Sequence, residues 1–308
     1  MGFRIDFLRG KLDENFAYGH HDTLANYCGV DSKNLRIFAR YQHGIGTSHY
    51  FPDDRIRNLV WSDEIRSDSV SRGIQNNVPI GAPILYLPNK EPREFWEELR
   101  QRKFTLCLAP HSTFDSQADI FKSNDFLQYF PRFQGKDALL FYAKSCIEQS
   151  QFKPIILLYY KDFTEQNRSE FLQLGISVVT LGDGIFDRNN QVTYLNKTVS
   201  ILQKASEIMV SNVSTLWLYA GYLGRPISFN QDSAFQSQLM RVASFFNAKS
   251  SDIGFFRKLV GEEVKREPSE LLEIFQSDSK IAAFRARSDF IRNSAKSLKI
   301  KLKKKAFN

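Results

Sequence analysis

Residues 152–160 read FKPIILLYY. After Lys153-Pro154 the chain runs Ile-Ile-Leu-Leu-Tyr-Tyr with no charged or strongly polar break. A strand with one wet face alternates apolar and polar residues. A continuous apolar run indicates a strand covered on both faces, as in a parallel sheet. Runs of the same kind recur on either side: FTLCLAP at 104–110, SVVTLGD at 177–183, EIMVSN at 207–212 and PISFN at 226–230. Helix-length segments separate them, one ending near Gly175 and another containing VSILQKA. Buried strands alternating with helices predict the α/β class with a parallel sheet.

Upstream, FRIDFL (3–8), LRIFAR (35–40), NLVWSD (58–63) and APILYL (82–87) read as a second set of strands. HHDTLANYCG (20–29) reads as a short helix ended by Gly29, and EPREFWEELRQR (91–102) as a helix with acids toward its start. Two sets of strands predict two α/β domains with a boundary near 88–103. The expected layout is a first Rossmann-like domain over 1–95 and a second over 96–235. Helices over 236–290 then pack back on the first domain, and a basic amphipathic tail occupies 291–308.

The 308 residues are 42% hydrophobic, enough for a sizeable core, and include 27 Phe. No run reaches 18 apolar residues, so no transmembrane helix is expected. The start, MGFRIDFLRGK, lacks the apolar core of a signal peptide. Cys28, Cys107 and Cys146 are far apart and fit neither a metal motif nor a redox pair, which points to a reducing cytoplasm and no metal. The net charge is +8, but RNSAKSLKIKLKKK (292–305) supplies +7 of it. The body is thus near neutral, which does not describe a broad nucleic-acid-binding face. The tail alternates Lys with Leu and Ile, a pattern that suits either an anionic membrane surface or a solvated end.

Four loops carry candidate chemistry. SNVSTLWLYAGYLGRPISF (211–229) places small polar residues where a strand hands over to a helix. Unpaired amides of a first helical turn, with Ser211, Asn212, Ser214 and Thr215 as added donors, would hold a phosphate. The same residues also read as an ordinary cap, through Asn212 or Ser214. Gly221 and Gly224 permit close approach or end the helix. In YQHGIGTSHYFPDD (41–54), His43 beside Gly44 is placed to act as a general base on an acceptor hydroxyl. His20, His21 and His49 read as surface or hydrogen-bonded core residues. In LCLAPHSTFDSQ (106–117), Ser112 and Thr113 can donate to a phosphate, and His111 can ease departure of a phosphate leaving group. In TLGDGIFD (180–187), Gly182 and Asp183 form a strand-end loop suited to border a base or ribose.

Taken together, VWSDEIRSDSVSRGIQNNVPIGAPILYLP (60–88), QHGIG, APHSTFD and SNVSTLWLYAGYLGRP resemble bacterial surface-polysaccharide transferases over roughly residues 20–230. The likeness is to two-domain glycosyltransferases of the GT-B fold, with capsule and lipopolysaccharide O-antigen enzymes of the CDP-glycerol, Kdo and sialyl type nearest in flavour. The resemblance implies two Rossmann-like domains whose parallel sheets face each other across a cleft. It implies a nucleotide-sugar donor (CMP-, UDP- or GDP-sugar) on the second domain, with no further cofactor. A glycan or lipid-linked glycan acceptor would sit on the first domain, with His43 as base and inversion by direct displacement. The implied place is the bacterial cytoplasm, peripheral to the membrane's inner face. Bacterial sialyltransferases of this fold carry a His-Pro motif, whereas here Pro110 precedes His111 and the hydroxyl pair is Ser214-Thr215. Other readings are a nucleotide-sugar epimerase of the same fold, a non-catalytic polysaccharide-assembly protein and a nucleic-acid-binding protein.

Overall fold

The structure, a computed structural model, describes residues 5–6, 11–12, 18–35, 39–42, 44–45, 57–87, 96, 99, 102–110, 124–133, 137–183, 188–245 and 253–276. The chain opens with an antiparallel pair, β1 (Ile5–Asp6) and β2 (Lys11–Leu12). It continues through helix α1 (His20–Tyr27), β3 (Arg40–Tyr41), β4 (Asn58–Val60), α2 (Asp63–Ser71) and β5 (Asn77–Pro79). Strands β3, β4 and β5 form a parallel three-stranded sheet in that order.

The larger unit begins with β6 (Phe104–Leu108), α3 (Asn124–Tyr129), α4 (Ala138–Gln149), β7 (Lys153–Leu158), α5 (Glu165–Gln173) and β8 (Ser177–Thr180). It continues through α6 (Arg188–Lys204), β9 (Glu207–Val210), α7 (Thr215–Tyr222), β10 (Ile227–Phe229), α8 (Phe235–Phe245) and α9 (Ile253–Val260). The five-stranded sheet runs β10-β9-β6-β7-β8, and every pairing is parallel. The chain builds outward from β6 to β8, then crosses to the other side of β6 for β9 and β10. This is the strand order of a Rossmann-like, doubly wound sheet, whose direction of winding reverses between β6 and β9. The α/β class and the parallel sheets are therefore as the apolar runs predict.

Side-chain alternation explains why those runs are continuous. Leu106, Leu108, Ile155, Leu157, Ile208 and Val210 enter one core, while Cys107, Ile156, Leu158 and Met209 enter another on the opposite face. The second core is closed by residues such as Phe126, Tyr142 and Phe171. The first core is larger. It joins Leu195 and Leu202 of α6 and Leu218 of α7 to Tyr41, Leu59 and Trp61 around the three-stranded sheet. Each fully buried side chain of this size contributes about 1.5–3 kcal/mol relative to exposure.

One upstream expectation is corrected. APILYL is not a strand. Pro83–Tyr86 is a 3-10 turn, and the third strand of the small sheet is Asn77–Pro79. Pro83 presets the first turn and has no amide to give a ladder. Pro83, Ile84, Leu85 and Tyr86 are buried on all sides, so the run is apolar without being a strand. Pro79 is tolerated because β5 lies at the sheet edge. NLVWSD also divides: the strand ends at Val60, and Ser62 caps α2 by accepting from the Ile65 amide at 3.4 Å. The helix expected over 91–102 lies largely outside the described residues, as do residues 277–308 with the basic tail.

The segment 253–276 packs against the first sheet. The Ala82 amide donates to the Val260 carbonyl at 2.7 Å, Lys258 pairs with Glu64 at 2.9 Å, and Arg266 Nε donates to the Pro79 carbonyl at 3.4 Å. Gly261 makes the tightest approach: at φ 69 it lies where a Cβ would be 1.6 Å from the Trp61 carbonyl oxygen. Among the described residues no helix is long and apolar enough to cross a membrane.

Candidate functional site

The reversal point of a doubly wound sheet leaves a crevice at the carboxyl ends of its strands. In this protein a cavity of about 180 Å³ begins there. Ala109 follows β6, Tyr159 and Tyr160 follow β7, and Leu181 and Gly182 follow β8; all line it. Ser214, Thr215, Leu216 and Tyr219 bring the start of α7 to the wall, and Tyr194, Leu195 and Thr198 bring α6. Tyr18 and His20, at the start of α1, complete it. No Lys, Arg, Asp or Glu stands among these lining residues.

The start of α7 shows how the local sequence makes this wall. Ser214 is extended, at φ −144 and ψ 167, and its hydroxyl accepts from the Trp217 amide at 3.3 Å. The cap is therefore Ser214, one of the two alternatives. Val213 donates its amide to Gln238 Oε1 at 2.9 Å. In the first turn the amides of Thr215 and Leu216 have no intrahelical acceptor, and both residues line the cavity. The helix ends at Leu223: the Gly224 amide donates to Gly221 and the Arg225 amide to Ala220, with Gly224 at φ 65. That paired closure requires a left-handed residue, which glycine adopts without strain. Gly221 instead serves close approach, because a Cβ there would meet the Phe256 ring at 2.1 Å.

The loop that follows β3 meets the same helix start. A Cβ on Gly44 would lie 3.1 Å from Thr215 Oγ1. Gln42 fixes this loop from within. Its Oε1 accepts from the Trp61 amide at 2.8 Å, its Nε2 donates to the Gly44 carbonyl at 3.0 Å, and its own carbonyl accepts from Trp61 Nε1 at 3.0 Å. Trp61 in turn stacks on Tyr219, with centroids 6.2 Å apart and planes at 27°. The loops of the two sheets thus converge on α7.

The wall is rich in phenols. Burial, then Tyr160 and Asp183, push the Tyr18 phenol up to about 12. Burial first, with Tyr18 and Asp183 adding to it, raises those of Tyr159 and Tyr194 further, and burial alone raises that of Tyr219. All remain protonated at neutral pH and act as neutral donors. Tyr18 has φ 60, a left-handed conformation that costs a non-glycine residue about 1 kcal/mol. Its ring is held by Tyr194 at 5.1 Å and His20 at 5.8 Å. Tyr18 thus carries backbone strain at the cavity wall.

The expected site residues therefore separate. Gly182, Ser214 and Thr215 line one cavity, and Asp183 acts on the phenols around it. Ser211 is buried and follows Met209 on the opposite face of the sheet, near the Tyr142 phenol. Asn212 is half-buried and is not part of the wall. His43, His111, Ser112 and Thr113 lie outside the described residues, although Gln42 and Gly44 flank the first and Pro110 precedes the second. Among the described residues no group of three His, Cys, Asp or Glu could hold a metal ion.

Sequence reasoning missed the phenols and His20. Tyr159-Tyr160 directly follows the strongest strand, so the rule that singled out the other strand-end loops applies to it equally. Tyr219 lies inside the segment TLWLYAGYLG, where it read as packing, and His20 read as a surface or core residue. Tyr18 and Tyr194 carry no local signal, because only the fold brings α1 and α6 to the strand ends. No protein-family model, curated protein or solved structure matches the chain.

Proposed function

We propose that this protein is a nucleotide-sugar-dependent glycosyltransferase of the GT-B type. In this reading it transfers a sugar to a hydroxyl of a surface-polysaccharide or lipopolysaccharide acceptor. The observation that carries the proposal is the meeting of Gly44 with Thr215 at the edge of a strand-end cavity. A donor needs oriented neutral donors for its phosphate, which the first turn of α7 offers through free amides and the Ser214 and Thr215 side chains. An acceptor needs a base on the facing side. His43, between Gln42 and Gly44, is the candidate, and Gln42 anchors its loop against Trp61. The donor bond breaks as the acceptor oxygen attacks the anomeric carbon. His43 takes the acceptor proton, and the nucleotide leaves with the bonding electrons.

This reading also includes a lipid-linked or free glycan acceptor and an anionic membrane surface for the basic tail. It places the protein at the cytoplasmic face. The test is calorimetric titration of the full chain with CMP, CDP, UDP and GDP, followed by transfer assays with the conjugates of whichever binds. One nucleotide is expected to bind, and His43→Ala to retain that binding while losing transfer. Absence of binding by all four overturns the proposal. Undiminished transfer by His43→Ala overturns the assignment of the base.

A further inference from the structure

The charges around the cavity discriminate among donor sugars. We infer that the sugar it admits is uncharged, and that Asp183 is a specificity-determining residue that turns away sugars bearing a carboxylate. This rests on the proposed nucleotide-sugar function and narrows it to neutral sugars. It runs against the Kdo and sialyl types that the sequence resembles, whose sugars are acidic.

In a nucleotide sugar the distal phosphate joins the sugar directly. A phosphate on the first turn of α7 therefore brings its sugar to the same wall. That wall offers the hydroxyls of Thr180 and Thr198 and the phenols of Tyr18, Tyr159, Tyr160 and Tyr194, and the described lining includes no Lys or Arg. Hydroxyls and phenols both donate to and accept from sugar hydroxyls. A carboxylate leaving water needs a cation or charge-assisted donors to replace its hydration. Lys161 is not in the lining; its ammonium lies over the Tyr160 ring, 5.9 Å from the centroid. His20, the one lining residue that can take up a proton near neutrality, is 2% exposed and packs against the rings of Tyr18 and Tyr41, with centroids 5.8 and 6.4 Å away.

Asp183 brings a negative charge to this wall. It follows Gly182, a lining residue whose turn at φ 82 is closed by its amide donating to Thr180 Oγ1 at 3.2 Å. Burial is the main cause that raises the phenols of Tyr18, Tyr159, Tyr160 and Tyr194, and the Asp183 charge adds to it at all four. Those phenols come from the start of α1, the end of β7 and α6, so the field of one carboxylate reaches three sides of the cavity. A field that helps hold protons on four phenols acts in the same sense against an incoming carboxylate. Like charges repel more in a site that partly excludes water than in bulk solvent, and such repulsion is an economical way to reject a near-identical ligand. A neutral sugar meets no such opposition, and its hydroxyls can donate to Asp183.

Calorimetry on the full chain compares the glucose and glucuronate conjugates of whichever of CDP, UDP or GDP binds. Where CMP binds, CMP-N-acetylneuraminate is compared with CMP. At about pH 8 an ordinary imidazole is neutral and an ordinary carboxyl is ionised, so the comparison reads the sugar's charge. The glucose conjugate is expected to bind at least about tenfold more tightly than the glucuronate, and CMP at least about tenfold more tightly than CMP-N-acetylneuraminate. Asp183→Asn, checked for fold by circular dichroism, is expected to shrink that gap at least about fivefold by strengthening the acidic conjugate, a change in relative affinity that a merely structural loss does not produce. Where Asp183→Asn does not fold, Asp183→Ser carries the same expectation. Glucuronate bound as tightly as glucose, or CMP-N-acetylneuraminate as tightly as CMP, overturns this inference and leaves the nucleotide-sugar function standing. A gap unchanged in the variant overturns the role of Asp183. Failure of every nucleotide and conjugate overturns the proposed function itself.

Discussion

Replacing Gln42 by Leu tests whether the loop after β3 is held from inside the protein. Leucine keeps the volume and the burial of a residue that is 2% exposed, and it leaves the Gln42 amide bonded to the Leu59 carbonyl at 2.9 Å. Pairing of β3 with β4 is therefore preserved. The side-chain acceptor for the Trp61 amide at 2.8 Å and the donor to the Gly44 carbonyl at 3.0 Å are both lost. A buried amide left without an acceptor costs about 1–3 kcal/mol, and the half-buried Gly44 bond contributes about 0.5–1.5 kcal/mol. The expected loss is about 1.5–4.5 kcal/mol, a large share of the ~5–15 kcal/mol that holds an ordinary domain together. Gln42→Glu retains an acceptor for Trp61 but buries an unpaired carboxylate against the Gly44 carbonyl, so at neutral pH it is expected to cost at least as much as Gln42→Leu. Urea unfolding followed by tryptophan fluorescence reads both, with an unchanged slope against urea showing that the same cooperative unit unfolds. A loss below about 0.5 kcal/mol for Gln42→Leu would refute the reasoning, because that is the range of an uninvolved surface substitution.

Ser214→Ala removes the cap of α7 and is expected to cost about 1 kcal/mol in urea unfolding, while weakening any phosphate-bearing ligand in calorimetry. Gly261→Ala drives a Cβ against the Trp61 carbonyl and strains a left-handed residue, so a destabilisation above about 3 kcal/mol, or loss of soluble expression, is expected. Gly221→Ala meets the Phe256 ring instead of backbone; the expected cost is about 1–3 kcal/mol, read as a lowered melting temperature. The phenols of Tyr142, Tyr194 and Tyr219 are raised by burial, so the folded state holds their protons more tightly than the unfolded chain. Their contribution is fully present below about pH 10 and is lost above it, at about 1.4 kcal/mol per pH unit for each phenol. Urea midpoints taken across the alkaline range check this, and a midpoint that stays flat above about pH 10 counts against buried phenols.

The apolar runs at 104–110, 152–160, 177–183, 207–212 and 226–230 were enough to read five parallel strands and the α/β class; the central strands β6, β7 and β9 are buried as those runs predict, because a strand covered on both faces has no freedom to place a polar residue, whereas the edge strands β8 and β10 are half-buried to exposed. Helix ends were legible for the same local reason: the last-turn amide pattern at Gly175 and Gly224 needs a left-handed residue. APILYL misled because burial, not strand geometry, demands an apolar run, and a proline-started turn can be just as buried. Within the stretch 211–229, sequence could narrow the cap to Asn212 or Ser214 and name the helix start as a candidate anion site from nearest neighbours alone; the structure selects Ser214. It could not tell which side of the sheet Ser211 would face, since that depends on which residue of β9 begins the alternation. Nor could it bring Tyr18, Tyr194 and Gly44 to that helix start. Those residues are separated along the chain and meet only because the strand order turns back at β6, so the cavity and its phenols were decided by tertiary structure.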